Sequence, residues 1–176
     1  QLHRISEYAF HYCQALESVK LPKTLEIIGN YAFGSCNKLG GILTFGSGLT
    51  SIGEYAFNNT QVSIIRCEAT VPPTLSSNSM PETWVAAFVP EGSADTYKNA
   101  PVWGDKSILD KEVHAEVTVS SEGNLAVDII DQTGIPQATI THLKVHGPLG
   151  AQDFAIMRSN MTLLYNLDMS DAKVSV

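Results

Sequence analysis

The chain contains 176 residues, of which 44% are hydrophobic, and its formal net charge is −7. This apolar content argues against a disordered chain and favours one or two packed domains. No run of residues approaches the roughly 18 uninterrupted apolar residues of a membrane-spanning helix. Residues 1–70 carry five basic and five acidic side chains, whereas residues 71–176 carry six basic and thirteen acidic ones. Nucleic acids and anionic membranes attract basic surfaces, so this charge disfavours both as partners.

Three segments near the N-terminus share one sequence pattern at a nearly constant interval. The pattern occupies residues 5–16, 28–39 and 52–60, and its phenylalanines are Phe10, Phe33 and Phe57. A period of about 24 residues is typical of a solenoid, in which each coil buries its apolar side chains against the next coil. We therefore expect the three rings to form one buried column.

Within a coil, the pattern predicts short strands and tight turns. Residues 17–21 alternate polar and apolar side chains and end at Pro22, which is typical of a half-buried strand. Residues 7–10 are too few for a helix but fit one helical or 3₁₀ turn. Residues 40–45 hold one residue more than their counterpart, which predicts a β-bulge. The coils are therefore expected to be mostly β.

The order Ile-x-x-Tyr-Ala-Phe-x-x-Cys-x-x-Leu, followed by Leu-Pro-x-x-Leu, resembles the BspA-type leucine-rich repeat of surface and secreted proteins of host-associated bacteria. The resemblance is most specific over residues 2–109, and the repeats themselves occupy residues 1–70, with a degraded third copy. It implies a leucine-rich repeat solenoid, mostly β with short helical or 3₁₀ turns. The chain starts inside a repeat without an initiator Met, so we expect it to be a piece of a longer protein.

Residues 71–109 break the period and are predicted to form the C-terminal cap of the array. A strand over residues 83–89 ends at Pro90, and Ser93 is placed to begin a helix that continues to Ala100. The aromatic side chains of Trp84 and Trp103 supply apolar area to cover the last coil. This segment also resembles the one that closes BspA-type arrays, and it predicts a small α/β cap. The alternative is an inserted surface loop.

Residues 110–176 are predicted to be a separate strand, helix and strand unit. Residues 112–119, 140–145 and 164–169 alternate as strands. The last two of these segments are separated by the period of the first array, about 24 residues. A helix is expected between them, over residues 150–160, and a turn or helix start at residues 121–124. The arrangement resembles the opening of a second leucine-rich array.

The cysteines and histidines give no strong signal for chemistry. Cys13, Cys36 and Cys67 occur about one to a coil, which predicts buried, unpaired thiols. His142 and His146 share a strand face but are spaced awkwardly for one zinc ion. His3, His11 and His114 show no ligand spacing. Because nucleotide, hydrolase and kinase motifs are absent as well, we expect no catalytic residues, no cofactor, no metal and no enzymatic activity.

The resemblance implies a non-catalytic, adhesion-like interaction module, extracellular or on the cell surface of a host-associated bacterium. Its partner would be a host or bacterial surface protein or a glycan. Variable, exposed coil positions are the candidates for binding, namely His11, Tyr12, Lys38 and Asn58. The alternative function is a structural spacer or stalk that holds another domain off the cell surface. A spacer is not expected to carry an exposed cluster of aromatic side chains.

Overall fold

The computed structural model describes residues 1–175 and divides into two compact units, Gln1–Lys111 and Glu112–Val176. The first unit contains β1 (Arg4–Ile5), β2 (Ile27–Ile28), β3 (Gly40–Phe45), β4 (Ser51–Ile52), β5 (Gln61–Cys67), β6 (Thr74–Leu75), β7 (Ala86–Phe88), α1 (Ala94–Lys98) and β8 (Ser107–Leu109). The second contains β9 (His114–Thr118), α2 (Leu125–Thr133), a 3₁₀ turn (Gln137–Thr139), β10 (His142–Leu149), α3 (Ala151–Asn160) and β11 (Asn166–Val174). Among the residues described, no helix has the length and apolarity that a membrane span requires.

Successive repeats of the first unit lie on one another through two parallel sheets. One sheet has the strand order β1-β2-β4-β6 and the other the order β3-β5-β7-β8. In the first sheet Ile5 pairs with Ile28, Ile28 with Ile52, and Ile52 with Leu75. Equivalent apolar residues of successive repeats therefore form continuous rows, because no single repeat can bury its own apolar face.

The phenylalanine column predicted from the spacing is present. The ring centroids of Phe10 and Phe33 are 5.0 Å apart and those of Phe33 and Phe57 are 5.1 Å apart, with nearly parallel planes. Phe33 and Phe57 are fully buried, but the prediction that Phe10 is buried was wrong, since it is 43% exposed. Phe33 covers one face of the Phe10 ring, and no second ring among the described residues stacks on the other face.

The turn that carries the Tyr-Ala-Phe pattern has an unusual backbone in each repeat. Tyr8, Tyr31 and Tyr55 adopt positive φ values of 59°, 54° and 56°. Left-handed backbone costs a residue other than glycine roughly 1–2 kcal/mol. Hydrogen bonds between repeats offset this cost, including the bonds from Phe10 N to Ala32 O and from Phe33 N to Ala56 O, both 2.8 Å. Residues 7–10 do form a tight turn closed by i to i−3 bonds such as His11 N to Tyr8 O, but the predicted helical or 3₁₀ conformation was wrong, because the backbone is left-handed at Tyr8.

Two predictions about the strands of the repeats need correction. Residues 17–21 form no strand, because among the residues described this segment meets its neighbour through one ladder bond, from Gly40 N to Glu17 O. The register between β3 and β5 does shift, between Gly41 and Ile42. However, the unpaired extra residue is Ser63 of β5, because Gly41 pairs with Val62 and Ile42 with Ile64. The bulge therefore belongs to the third repeat rather than to the second.

Aromatic side chains fill the end of the first unit. Trp84 and Trp103 are buried with ring centroids 5.3 Å apart, and Tyr97 packs edge-on against Trp103 at 4.9 Å. Trp103 Nε1 donates to Pro73 O at 2.8 Å, so its polar atom is satisfied. The predicted burial of Trp103 is confirmed. The helix α1 is shorter than predicted, and Ser93 precedes it without a capping bond from its hydroxyl.

The second unit is a three-stranded parallel sheet with helices packed on one face. The strand order is β11-β10-β9, and Leu125 and Ile129 of α2 and Met157 of α3 are buried in its core. The predicted strands and the helix α3 are confirmed. The helix α2 was missed, although Asn124 at its N-cap and Gly134 at its left-handed C-cap are sequence signals for helix ends.

A buried carboxylate ties the loops of the second unit together. Asp153 in the first turn of α3 is fully buried and accepts hydrogen bonds from the backbone N–H groups of Gly123, Leu125 and Gly150 at 2.8, 3.0 and 2.9 Å. Burial alone would raise the pKa of this carboxyl, but the bonds from Gly150, Gly123 and Leu125 lower it below its usual value. The ionised form of Asp153 is therefore part of the fold.

Candidate binding surface

The tyrosines of the repeats form a ladder of rings on the surface, which we call the tyrosine stack: Tyr8, Tyr31 and Tyr55. The centroids of Tyr8 and Tyr31 are 5.0 Å apart with planes 5° apart. Those of Tyr31 and Tyr55 are 4.9 Å apart with planes 19° apart. The three rings occupy equivalent positions of successive repeats, so the ladder follows directly from the period.

The hydroxyl group of Tyr31, in the middle of the stack, stays neutral at physiological pH. Desolvation by its neighbours raises the pKa of Tyr31 above its ordinary value, and the nearby phenols of Tyr55 and Tyr8 and the carboxylate of Glu54 add to this effect. Neutral phenols both donate and accept hydrogen bonds. The stack therefore offers an amphipathic surface with polar tips.

Two of the predicted binding residues lie beside this stack. The ring of His11 is 5.4 Å from Tyr8, 5.6 Å from Tyr31 and 4.2 Å from Tyr12, measured between centroids. Its Nδ1 lies 2.8 Å from Gly34 O, and we assign the proton to Nδ1, because the carbonyl accepts. Tyr12 is 64% exposed and Tyr8 is 54% exposed. We call the tyrosine stack together with His11 and Tyr12 the aromatic patch.

Of the other two predicted residues, Asn58 adjoins the tyrosine stack, because its backbone N–H donates to Tyr55 O at 3.2 Å. Asn58 is half-buried and occupies the position of His11 two repeats further along, where its carbonyl accepts from Ser35 N at 2.9 Å. Lys38 is exposed, and no hydrogen bond or ion pair among residues 1–175 joins it to the patch. Sequence reasoning overlooked the stack itself, because the recurring Tyr beside Ala-Phe was treated as part of the repeat motif. The signal was present, since an aromatic residue at a fixed period produces a row of rings.

The second unit exposes a charged face instead. Lys144 Nζ lies 3.3 Å from Glu116 and 3.8 Å from Asp171, while His146 lies 2.8 Å from Glu116 and 3.3 Å from Asp171. Hydrogen bonds from His146 and Lys144 lower the pKa of Glu116, and the bond to Glu116 raises the pKa of Lys144. These charges are largely compensated within the sheet.

A shallow groove lies on the same face, and it brings together residues that the sequence did not connect. Its lining includes His114, His142, Asn166 and Asp168, and its volume is about 430 Å³. The sequence shows no ligand spacing for His114, and the contact arises from strand pairing instead. In the parallel register of β9 and β10 His114 pairs with His142, and Glu112 lies within 4 Å of both imidazoles. Glu112, His114 and His142 are the residues that can hold a metal.

The cysteines take no part in a covalent site. All three are unpaired, as predicted. Cys36 and Cys67 are buried, and burial raises the pKa of both thiols. The prediction that Cys13 is buried was wrong, because it is exposed in the first repeat. Cys36 Sγ instead donates to Phe10 O at 3.1 Å, which links the first two repeats.

Comparison with known proteins identifies the repeats. Residues 3–78 match the family model described as BspA type leucine-rich repeat region (6 copies). No curated protein matches the chain. Proteins with these repeats are generally modules of surface proteins that act in protein interactions, and they are typically not enzymes. The period, the parallel stacking and this match together show that residues 3–78 are similar to BspA-type leucine-rich repeats.

Proposed function

We propose that the first unit is a leucine-rich repeat solenoid that acts as a non-catalytic, adhesion-like module outside a bacterial cell or on its surface. In this proposal residues 1–70 form the array and residues 71–109 close it. The buried tryptophans and Tyr97 support the assignment of the cap, because a solenoid needs a cover over its last coil. The host association of the bacterium rests on the family resemblance.

The exposed aromatic patch is the observation that carries the interaction function. Tyr8 and Tyr12 both leave more than half of their surface in solvent. Exposure of a contiguous aromatic surface to water is energetically unfavourable, and such surfaces are typical of sites that a partner covers. A structural spacer has no need of such a surface, so the patch favours binding over spacing.

The geometry of the stack favours a protein partner over a glycan. Sugars pack against open ring faces, whereas the stack covers both faces of Tyr31 and one face each of Tyr8 and Tyr55. The ring edges and hydroxyl groups remain accessible, and rigid tyrosines that offer both are typical of protein interfaces. We therefore propose a surface protein as the partner, with a glycan as the alternative.

The size of the array sets an expectation for affinity. A standard protein interface covers roughly 800 Å² on each partner, and three repeats barely supply that area. Binding by this chain alone is therefore expected to be weak. A longer array would bind more tightly through multivalency, because each additional contact becomes intramolecular.

The spacer function keeps one specific observation in its favour. Tyr31 and Tyr55 are only half exposed, and their rings pack repeat on repeat, so part of the stack stabilises the array itself. If this is the only role of the tyrosines, the exposed rings of Tyr8 and Tyr12 contribute nothing to retention of a partner.

A capture experiment separates the two functions. The chain is immobilised and offered a panel of purified matrix and cell-surface proteins, with a glycan array in parallel. We expect at least one protein to be retained, and the double variant Tyr8→Ser/Tyr12→Ser to lose that retention. Val71→Ser is the matched control, because Val71 is exposed and apolar but lies outside the patch. Retention that survives in the double variant, or no retention at all, contradicts the proposal.

The second unit is proposed to be the opening of a second leucine-rich module. In support, its three strands are parallel, and His142 pairs with Asn166 across one interval of about 24 residues. The interval matches that of the first array. The pairing of β9 with β10 spans a longer connection that contains α2.

A further inference from the structure

We propose that the second unit binds one zinc-type divalent metal ion through Glu112, His114 and His142. The three side chains come from the start of β9 and from β10. Each offers one ligand atom, and these atoms all lie within 4.8 Å of one another. The site is independent of the aromatic patch and of the function proposed for the first unit.

Strand register is what assembles the site. His114 and His142 are paired residues of neighbouring parallel strands, so their side chains leave the same face of the sheet. Their ring centroids are 4.1 Å apart with planes 12° apart. Glu112 precedes His114 by two positions, which places its side chain on that face as well. The two histidines are far apart in sequence, and so no motif could reveal the site.

The distances suit an ion lying between the three groups. Nε2 of His114 is 3.5 Å from Glu112 Oε2, and Nε2 of His142 is 3.8 Å from the same oxygen. Zinc binds nitrogen and oxygen at about 2.0–2.2 Å, so tetrahedral ligand atoms lie roughly 3.4 Å apart. To complete the geometry, His114 must turn out of its stack on His142 and bring its Nε2 closer to the other two ligand atoms.

A comparison inside the same sheet distinguishes this cluster from an ordinary ion pair. His146 Nε2 meets Glu116 Oε1 at 2.8 Å, the length of a direct charge-assisted hydrogen bond. The contacts of Glu112 with the two imidazoles are 3.5 and 3.8 Å, longer than such bonds. This wider spacing leaves room for an ion.

Neighbouring side chains support two of the three ligands. Thr141 Oγ1 lies 3.1 Å from Nδ1 of His142, so Nε2 is the nitrogen directed at the site. The hydroxyl of Tyr165 donates to Oε1 of Glu112 at 2.6 Å, whereas both imidazoles contact Oε2 of that carboxylate. Ligands of bound metals are held in this way by outer hydrogen bonds, which fix the tautomer and the orientation.

The third ligand has the freedom to close on an ion. The side chain of His114 is 63% exposed, whereas that of His142 is 19% exposed. His114 can therefore give up its stacking on His142 and turn its Nε2 towards the position between the other two groups. The movement involves a surface side chain and leaves the core unchanged.

The donor set selects the class of metal. Two imidazoles and one carboxylate suit zinc, cobalt, nickel and copper, whereas calcium and magnesium require mostly oxygen ligands. With three protein ligands the fourth tetrahedral position stays open for water or for a donor atom of a partner. The groove beside the histidines gives access to that position.

The test is a calorimetric titration of the chelator-treated chain with Zn²⁺, using Ca²⁺ as the control ion. We expect one Zn²⁺ per chain and no comparable binding of Ca²⁺. His114→Ala and Glu112→Gln should each weaken binding at least tenfold, because each removes one of three ligands.

Two control variants locate the binding. His146→Ala removes a histidine of the same sheet face that lies outside the cluster, and Cys13→Ser removes the exposed thiol of the first unit. Both should bind Zn²⁺ as the unsubstituted chain does. Circular dichroism checks that His114→Ala is folded, and the visible spectrum with Co²⁺ reports the coordination directly. Absence of stoichiometric binding, unchanged affinity in His114→Ala, or loss in either control would overturn the proposal.

Discussion

The two units of this chain build parallel sheets in similar ways but expose very different surfaces. In the first unit the period stacks identical side chains of successive repeats. Phe33 therefore lies between Phe10 and Phe57, and Tyr8 stacks on Tyr31. In the second unit the register also joins residues of opposite charge, such as Lys144 and Glu116. A repeat therefore produces a surface that can be predicted from spacing, whereas the chemistry of the second unit arises only when the strands align.

The largest effect is expected from a substitution that disrupts the phenylalanine column of the first unit. Phe33→Ala should lower the free energy of unfolding by about 3–5 kcal/mol, because it removes a fully buried ring from the middle of the column. Phe10→Ala is the matched control and should cost far less, since that ring is partly exposed. Both tryptophans lie in the first unit, so denaturant titrations followed by tryptophan emission report this unit alone. Equal losses in the two variants would contradict the column.

The corresponding change in the second unit removes the charge of Asp153. Asp153→Asn should cost about 2–3 kcal/mol, because three backbone N–H groups lose a charged acceptor. Asp131→Asn, at an exposed position of α2, should be close to neutral. Hydrogen exchange of the amides of α2 and α3 measures the effect within this unit. If the amides of α2 and α3 were as well protected from exchange in Asp153→Asn as in the unsubstituted chain, the role of the buried carboxylate would be contradicted.

The same carboxylate predicts how stability depends on pH. The pKa of Asp153 is lower in the folded than in the unfolded chain, where it is about 3.9. Its contribution is therefore complete above the unfolded value and is lost as the pH falls through the folded one. Asp153→Asn should lack this component of acid unfolding. If the free energy of unfolding fell equally with pH in the two proteins, other groups would be responsible for the acid-induced loss of stability.

A smaller effect is expected at the end of the first unit. The Tyr97 hydroxyl donates to Ala69 O at 2.7 Å and also contacts Cys67 Sγ at 3.2 Å, and burial raises the pKa of this phenol. Tyr97→Phe should cost about 1–2 kcal/mol, because it leaves a buried carbonyl without this donor. Tyr12→Phe, at an exposed position, should be neutral. Tryptophan emission again follows the transition, and equal midpoints for all three proteins would exclude a role for this bond.

The thiols provide a check that needs no substitution. In the native chain only Cys13 should react quickly with a thiol reagent, since Cys36 and Cys67 are buried and burial raises the pKa of both. After denaturation without a reductant, three thiols should react. A count of one after denaturation would indicate a disulfide.

Sequence patterns were sufficient for features that repeat and insufficient for features that depend on register or position. The period predicted the phenylalanine column and the burial of Cys36. It could not predict the exposure of Phe10 and Cys13, because equivalent positions differ in how many neighbours cover them. The extra residue at Ser63 was assigned to the wrong strand, since counting residues does not reveal which partner bulges.

The candidate sites show the same contrast. His11 and Tyr12 were predicted as variable, exposed residues, and the structure places them together beside the tyrosine stack. Lys38 was predicted on the same grounds, but no hydrogen bond or ion pair among residues 1–175 joins it to the patch, because exposure alone carries no information about contacts. The meeting of His114 with His142 depends on the register of β9 and β10, which the spacing of the two residues in the sequence does not reveal.

The central claim is that the aromatic patch of the first unit binds a surface protein, and a titration tests it most directly. The protein retained in the capture panel is titrated against the intact chain, Tyr8→Ser/Tyr12→Ser and Val71→Ser. Loss of two exposed aromatic contacts should raise Kd at least tenfold, which corresponds to a loss of about 1.4 kcal/mol of binding free energy. Val71→Ser should leave Kd unchanged. Equal Kd values for all three proteins would contradict the claim and assign the tyrosine stack to the stability of the array.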